Sequence, residues 1–333
     1  MNTDSQLIIP LPWQQQQWDF ILTNARQNKL AHAILLTGAA GLGKVLFAQQ
    51  IVQTLLCERG TELNKPCKQC RSCHLITADT HPDFYHLTPE EDGKNIKIDA
   101  VRNFIGRMQQ TAQYDNYKVA IINPAEQLNT AAANALLKTL EEPAARTIII
   151  LITSQPNFLP ATIRSRCQTL SFAAPKIDIV KPWLQTQIPN QTNIDQLLQL
   201  AENNPLTALR LVQNEEFLLV QQIIKNLIAL TLGQTTPIQL ATEWNKLAIQ
   251  LLLNEMRNML LDLIRLKSNL AENYLRATNY KNELVKIAHQ VDIKKLYQCI
   301  DKINNAQLQF RATNLNQQLF LENLLYDWYE HTK

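Results

Sequence analysis

Three of the seven glycines in this 333-residue chain stand within six positions, as Gly38, Gly41 and Gly43 of "TGAAGLGKV". Glycine is otherwise scarce, so the backbone here is asked for a conformation that side-chain-bearing residues resist. The preceding "AHAILLT" is a short apolar run, and the following "KVLFAQQIVQTLLC" spaces its apolar residues as a helix does. Strand, glycine loop and helix in immediate succession form the frame of a phosphate-binding loop. In such a loop, backbone amides and the helix N-terminus face the anion and Lys44 adds a point charge.

The same alternation continues. "PDFYHLTP", "YKVAIINP", "TIIILITS" and "CQTLSF" read as strands, and "DAVRNFIGRMQQ" and "TAAANALLKTLEE" as helices between them. Near-continuous apolar strands separated by helices predict a parallel sheet covered on both faces, an α/β module over residues 1–172. Beyond Phe172 the strand signal stops. "AAPKIDIVKP" reads as a linker, "NIDQLLQLAENNPLTALRLVQN" as a small helical unit within 173–213, and 214–333 as long amphipathic helices such as "TEWNKLAIQLLLNEMRNMLLDLIRLK". A wide apolar helix face serves either a core or an oligomerisation surface, and sequence leaves both open.

Composition narrows the class. With 46% hydrophobic and 18% charged residues the chain is globular, and a net charge of +3 is small for a dedicated nucleic-acid binder. The longest strongly apolar stretch, "TIIILIT" at 147–153, is far short of a membrane span. "MNTDSQLIIPLPW" has no basic region leading into a long apolar core, so the expected location is the cytoplasm.

The loop lacks its usual partners. Nucleotide hydrolysis calls for Ser or Thr after the lysine, to hold magnesium, and for an acidic pair at the end of a later strand. Position 45 is Val45, and after "VAII" come Asn123 and Pro124, with Glu126 further on. Magnesium binding is therefore altered at two separate places, and the loop reads as structural or weakly nucleotide-binding.

Cys57, Cys67, Cys70 and Cys73 crowd into 57–73, the last three as "CKQCRSC". Four thiolates suit a closed tetrahedral zinc site with no open position for catalysis, and Lys68 and Arg71 offset its negative charge. An iron–sulfur cluster or a group of free thiols are the competing readings; no other redox-cofactor signal accompanies them. His74, His81 and His86 stand nearby as possible substitutes, with ordinary surface or outer-shell roles the simpler reading. Cys299 reads as a small core residue.

Two stretches complete a pattern. "NALLKTLEEP" at 134–143 is an amphipathic helix ended by Pro143, and "ATIRSRC" precedes a strand. With the glycine loop, the four-cysteine insertion and "THPDF" at 80–84, the chain resembles the bacterial clamp-loader subunits of DNA polymerase III, within the AAA+ superfamily. It departs from the ATP-hydrolysing tau/gamma subunits at Val45, Asn123 and Pro124. Leu206 stands where those subunits place a lid arginine, with Arg210 one turn away. These losses resemble the delta-prime type, the fixed stator of the loader.

The resemblance implies an AAA+ module (1–172), a helical lid (173–213) and a helical collar (214–333). The partners it implies are tau/gamma and delta subunits, and through them the β sliding clamp and primed DNA. It implies that Arg166, in Ser165–Arg166–Cys167, reaches into a neighbouring subunit's ATP site, and that Gly38, Gly41, Gly43 and Lys44 form a degenerate nucleotide loop. The rival functions are an autonomous AAA+ ATPase and a zinc-containing nucleic-acid-binding protein.

Overall fold

The structure is a computed structural model that describes residues 10–90, 95–114, 117–189, 192–268, 275–312 and 316–332. The N-terminal stretch weighed above as a targeting signal lies, up to residue 9, outside them. The described chain divides into two compact units, Met1–Trp183 and Leu184–Lys333.

The first unit is built on five parallel strands: β1 (Ala33–Thr37), β2 (Phe84–Leu87), β3 (Lys118–Ile122), β4 (Thr147–Thr153) and β5 (Gln168–Ser171). Their order across the sheet is β2-β3-β4-β1-β5, so the glycine-loop strand sits inside the sheet between β4 and β5. Register pairs Ala33 with Ile149 and Thr37 with Thr153. Alternate residues serve opposite faces: Ile34, Leu36, Ile148, Ile150 and Ile152 join one apolar cluster, while Ala33, Leu35, Ile149 and Leu151 join the other. Every residue of β1, β3 and β4 is buried, which is why these strands read as unbroken apolar runs rather than alternating ones.

Helices cover both faces. α1 (Gln15–Arg26) and α2 (Lys44–Leu56) pack on the first cluster, and α5 (Ile98–Met108) and α6 (Thr130–Glu141) on the second. Short α3 (Gly60–Leu63) and α4 (Arg71–Thr77) carry the cysteine segment, and α7 (Ala161–Arg164) leads into β5. The α6 helix begins at an Asn129 cap, whose side-chain oxygen accepts the Ala132 N–H at 2.8 Å.

Two sequence expectations change here. "AAPKIDIVKP" is not all linker: α8 (Ile177–Gln187) begins inside it and contains Pro182. Proline at that position cannot donate to the Asp178 carbonyl and its ring crowds that carbonyl, a combined cost of about 3 kcal/mol in a helix interior. The long apolar pattern from residue 242 is two helices, α12 (Pro237–Trp244) and α13 (Ile249–Lys267). Trp244 is buried at the end of the first, and the chain turns before Ile249 reopens a helix.

The second unit is all-helical. It holds α9 (Ile194–Leu200), α10 (Pro205–Gln213), α11 (Glu216–Thr231), α12, α13, α14 (Lys281–Gln290), α15 (Ile293–Ala312) and α16 (Gln317–Thr332). Cys299 lies in its core at 2% exposure, and no described helix is long and apolar enough to cross a membrane.

Candidate functional site

The glycine loop connects the C-terminal end of β1 to α2, the edge of a parallel sheet where ligands of such folds bind. Gly38 has φ +139°, and a Cβ there would lie 2.3 Å from the Phe172 carbonyl oxygen, so only glycine fits. Gly41 and Gly43 are also left-handed. Lys44 opens α2, and its side chain is buried. Its ammonium donates to the carbonyls of Gly38 at 2.6 Å and Ala39 at 2.7 Å, and approaches Ser154 Oγ at 3.4 Å. Burial lowers its pKa, with the Glu126 charge opposing. Val45 packs its methyl groups against the apolar cluster beneath the loop. A valine offers magnesium no oxygen.

Three residues that sequence did not single out, or dismissed, brace this loop. Gln14 is fully buried; its amide donates to the carbonyls of Leu42 (2.9 Å) and Gly43 (3.2 Å) and accepts the Leu11 N–H. Trp13 donates its indole N–H to the same Leu42 carbonyl and meets Trp183 edge-on at 5.0 Å. Glu126 turns back toward the loop and accepts the Ser154 N–H at 3.2 Å, while its other oxygen is buried with no hydrogen-bond partner among the described residues. A run of four glutamines carries no signal that its first member is a core residue.

Arg166 follows α7 and meets the end of α6. Its Nε donates to Glu141 Oε1 at 2.6 Å, Nη2 pairs with the same carboxylate, and Nη1 donates to the Thr162 carbonyl at 2.9 Å. "LEEP" and "SRC", far apart in sequence, thus touch through one ion pair. A guanidinium has five N–H groups. Three of them are used among the described residues, one on Nε and one on each terminal nitrogen. Cys167 beside it is a half-buried thiol whose pKa burial pushes up to about 11.

The cysteines converge. Cys57 caps the end of α2, Cys67 lies in the following loop, Cys70 caps α4, and Cys73 sits in that helix's first turn. All four sulfurs lie within 4.8 Å of one another, and the Cys57–Cys70 and Cys67–Cys73 separations are both 3.9 Å. A tetrahedron with zinc–sulfur bonds of about 2.3 Å has edges of about 3.8 Å, so the donor set fits such an ion. Backbone N–H groups of Cys67, Cys70 and Cys73 each point at a neighbouring sulfur. The Gln69 and Cys70 amides lower the Cys67 pKa to about 6, whereas burial raises those of Cys57 and Cys73. No histidine joins the cluster: His74 and His86 are exposed, and His81 is buried with a different partner.

Residues 13–176 match the family described as "DNA polymerase III, delta subunit", and residues 219–330 the family described as "DNA polymerase III, delta subunit, C terminal". The chain is 34% identical over 320 residues to the Pseudomonas aeruginosa protein named DNA polymerase III subunit delta′, covering 95% of this chain and 96% of that one. The chain belongs to the delta′ subunit family of DNA polymerase III. The Escherichia coli delta′ protein is 34% identical over 207 residues, 62% of each chain. A Thermotoga maritima protein described as DNA polymerase III gamma subunit-related overlays with a TM-score of 0.48 at 20% identity, over 94% of this chain and 100% of that one. Measured against the delta′ family, the resemblance read from the motifs holds. The α/β module followed by helices is the fold that was expected.

Proposed function

We propose that this chain works as the delta′ subunit of the DNA polymerase III clamp loader, the member that keeps the nucleotide-binding fold and gives up hydrolysis. The observation that carries the reading is the 34% identity to a delta′ protein along nearly the whole chain. In this reading it assembles with tau/gamma and delta subunits, in the bacterial cytoplasm at the replisome, and helps place the β sliding clamp on primed DNA. Residues 173–213 act as a lid and 214–333 as the collar that joins the subunits.

The loop of Gly38, Gly41, Gly43 and Lys44 keeps its shape, but two features speak against hydrolysis. Val45 supplies no magnesium oxygen, and Asn123 and Pro124 stand where an acidic pair is needed. Arg166 contributes to catalysis in trans: the two N–H groups it does not use among the described residues suit the oxygens of a neighbour's γ-phosphate. The four cysteines hold one structural zinc ion, whose chemistry here is to cross-link a short segment.

The isolated chain is expected to hydrolyse ATP at no more than background rate in the presence of magnesium. Lys44→Ala, in a loader rebuilt from purified subunits, is expected to leave clamp loading within about twofold of native, since the lysine serves no hydrolysis. Magnesium-dependent turnover by the isolated chain would show instead an autonomous ATPase.

A further inference from the structure

Beside the cysteine segment lies a buried contact that the reading above leaves without a role. Ser72 stands between Cys70 and Cys73 on α4, and its Oγ is 3.2 Å from His81 Nε2. Ser72 and His81 are 1% and 5% exposed. The Asp83 backbone N–H donates to His81 Nδ1 at 3.1 Å. A backbone N–H can only donate, so Nδ1 carries the lone pair and the proton resides on Nε2, which therefore donates to Ser72.

Asp83, 1% exposed, fixes the other end. Its carboxylate accepts the N–H groups of Gln113 (2.9 and 3.1 Å) and Tyr114 (2.9 Å), and its carbonyl accepts the Val119 N–H at the start of β3. Tyr114 completes the group: its ring lies 5.3 Å from the His81 ring and under the guanidinium of Arg71 at 5.7 Å. The "HPD" turn therefore holds the sheet with one hand and α4 with the other.

We propose that His81, through Ser72, is the positioning residue of the metal centre. It fixes α4 against the sheet so that Cys70 and Cys73 already face Cys57 and Cys67 before the ion arrives. α4 is seven residues long and α3 four, too short to hold a shape alone, so the sulfur geometry depends on what they are docked to. Groups one step behind a metal's ligands typically change its affinity by about 10- to 100-fold when removed. The inference rests on the reading that the four cysteines hold a metal.

The experiment uses the full-length chain, titrated with zinc against a chromophoric chelator and with cobalt(II) as a spectroscopic stand-in. His81→Ala and Ser72→Ala are each expected to weaken zinc by roughly 10-fold or more. The double variant is expected to be no worse than the weaker-binding single one, because both delete one contact. His81→Gln, whose amide reaches toward Ser72, should recover part of the loss. Val101→Ala, a buried core change on α5, should leave zinc affinity native. Should His81→Ala fail to fold, Ser72→Ala, which removes one oxygen, carries the test. Native zinc affinity in Ser72→Ala, or an equal loss in Val101→Ala, would overturn the positioning role. A native chain that binds neither zinc nor cobalt would overturn the metal reading itself, and this inference with it.

Discussion

At the scale of single residues, the informative side chains are those held by a partner distant in sequence. Arg166 is the sharpest case: alone it is one arginine among many, and Glu141 gives it a fixed bearing. The pair is half-exposed, and ion pairs of that kind contribute about 0–1 kcal/mol to stability. Glu141→Gln is therefore expected to shift the unfolding free energy by less than about 1 kcal/mol. In a rebuilt loader it should nonetheless lower clamp- and DNA-stimulated ATP turnover, because the guanidinium loses its bearing. Denaturant melts beside stimulated turnover check both halves, and native turnover with native stability would assign the pair to the surface alone. Some residues were legible and some were not, for physical reasons. Gly38 announced itself because its backbone excludes every other residue, and the cysteines because thiolates in two C-x-x-C steps have few other uses. Gln14 was silent, and the partners of Glu126 and His81 were not legible, since a buried amide, carboxylate or imidazole is defined by contacts 28, 28 and 9 residues away.

Among elements, the cysteine segment is the one whose stability is least explained by its own residues. α3 and α4 supply few turns, and among the described side chains of the segment the buried ones are mainly Cys57, Pro66, Ser72 and Cys73. In the proposed reading an ion cross-linking the four cysteines would supply the missing stability, as it does in small zinc modules. Elemental analysis is expected to find about one zinc per chain. Chelation, or Cys70→Ser, should lower the melting temperature by several degrees, since about 1 kcal/mol moves a unit of this size by roughly 2–4 °C. A metal-stripped chain that melts with the native one would remove the ion's structural role. Strands were the most legible elements, because β1, β3 and β4 are buried on both faces and read as uniform apolar runs. Helix ends were less so. The break between α12 and α13 falls in "NKLA", which holds neither glycine nor proline, and α8 contains Pro182 where a proline argued for a linker. In both cases packing decided what local propensity did not.

For the whole molecule, the account is of a subunit that retains the architecture of a nucleotide machine and delivers its chemistry elsewhere. In the proposed reading the magnesium positions are replaced at Val45, Asn123 and Pro124, while the Arg166 guanidinium uses three of its five N–H groups among the described residues. Charge developing on phosphate oxygens is what a planar, always-charged fork stabilises. Supplied in trans, such an arginine changes turnover at its one site by a factor on the order of a thousand or more. In the proposed loader, with several ATP sites, the loss would be smaller, because the other sites would take their arginines from tau/gamma subunits. The deciding measurement is stimulated ATP turnover by a loader rebuilt with Arg166→Ala and, separately, Arg166→Lys, with assembly checked by size on the same samples. The account predicts full assembly with lowered turnover in Arg166→Ala and little recovery in Arg166→Lys, which keeps the charge and loses the fork. Native turnover by a fully assembled Arg166→Ala complex would contradict it.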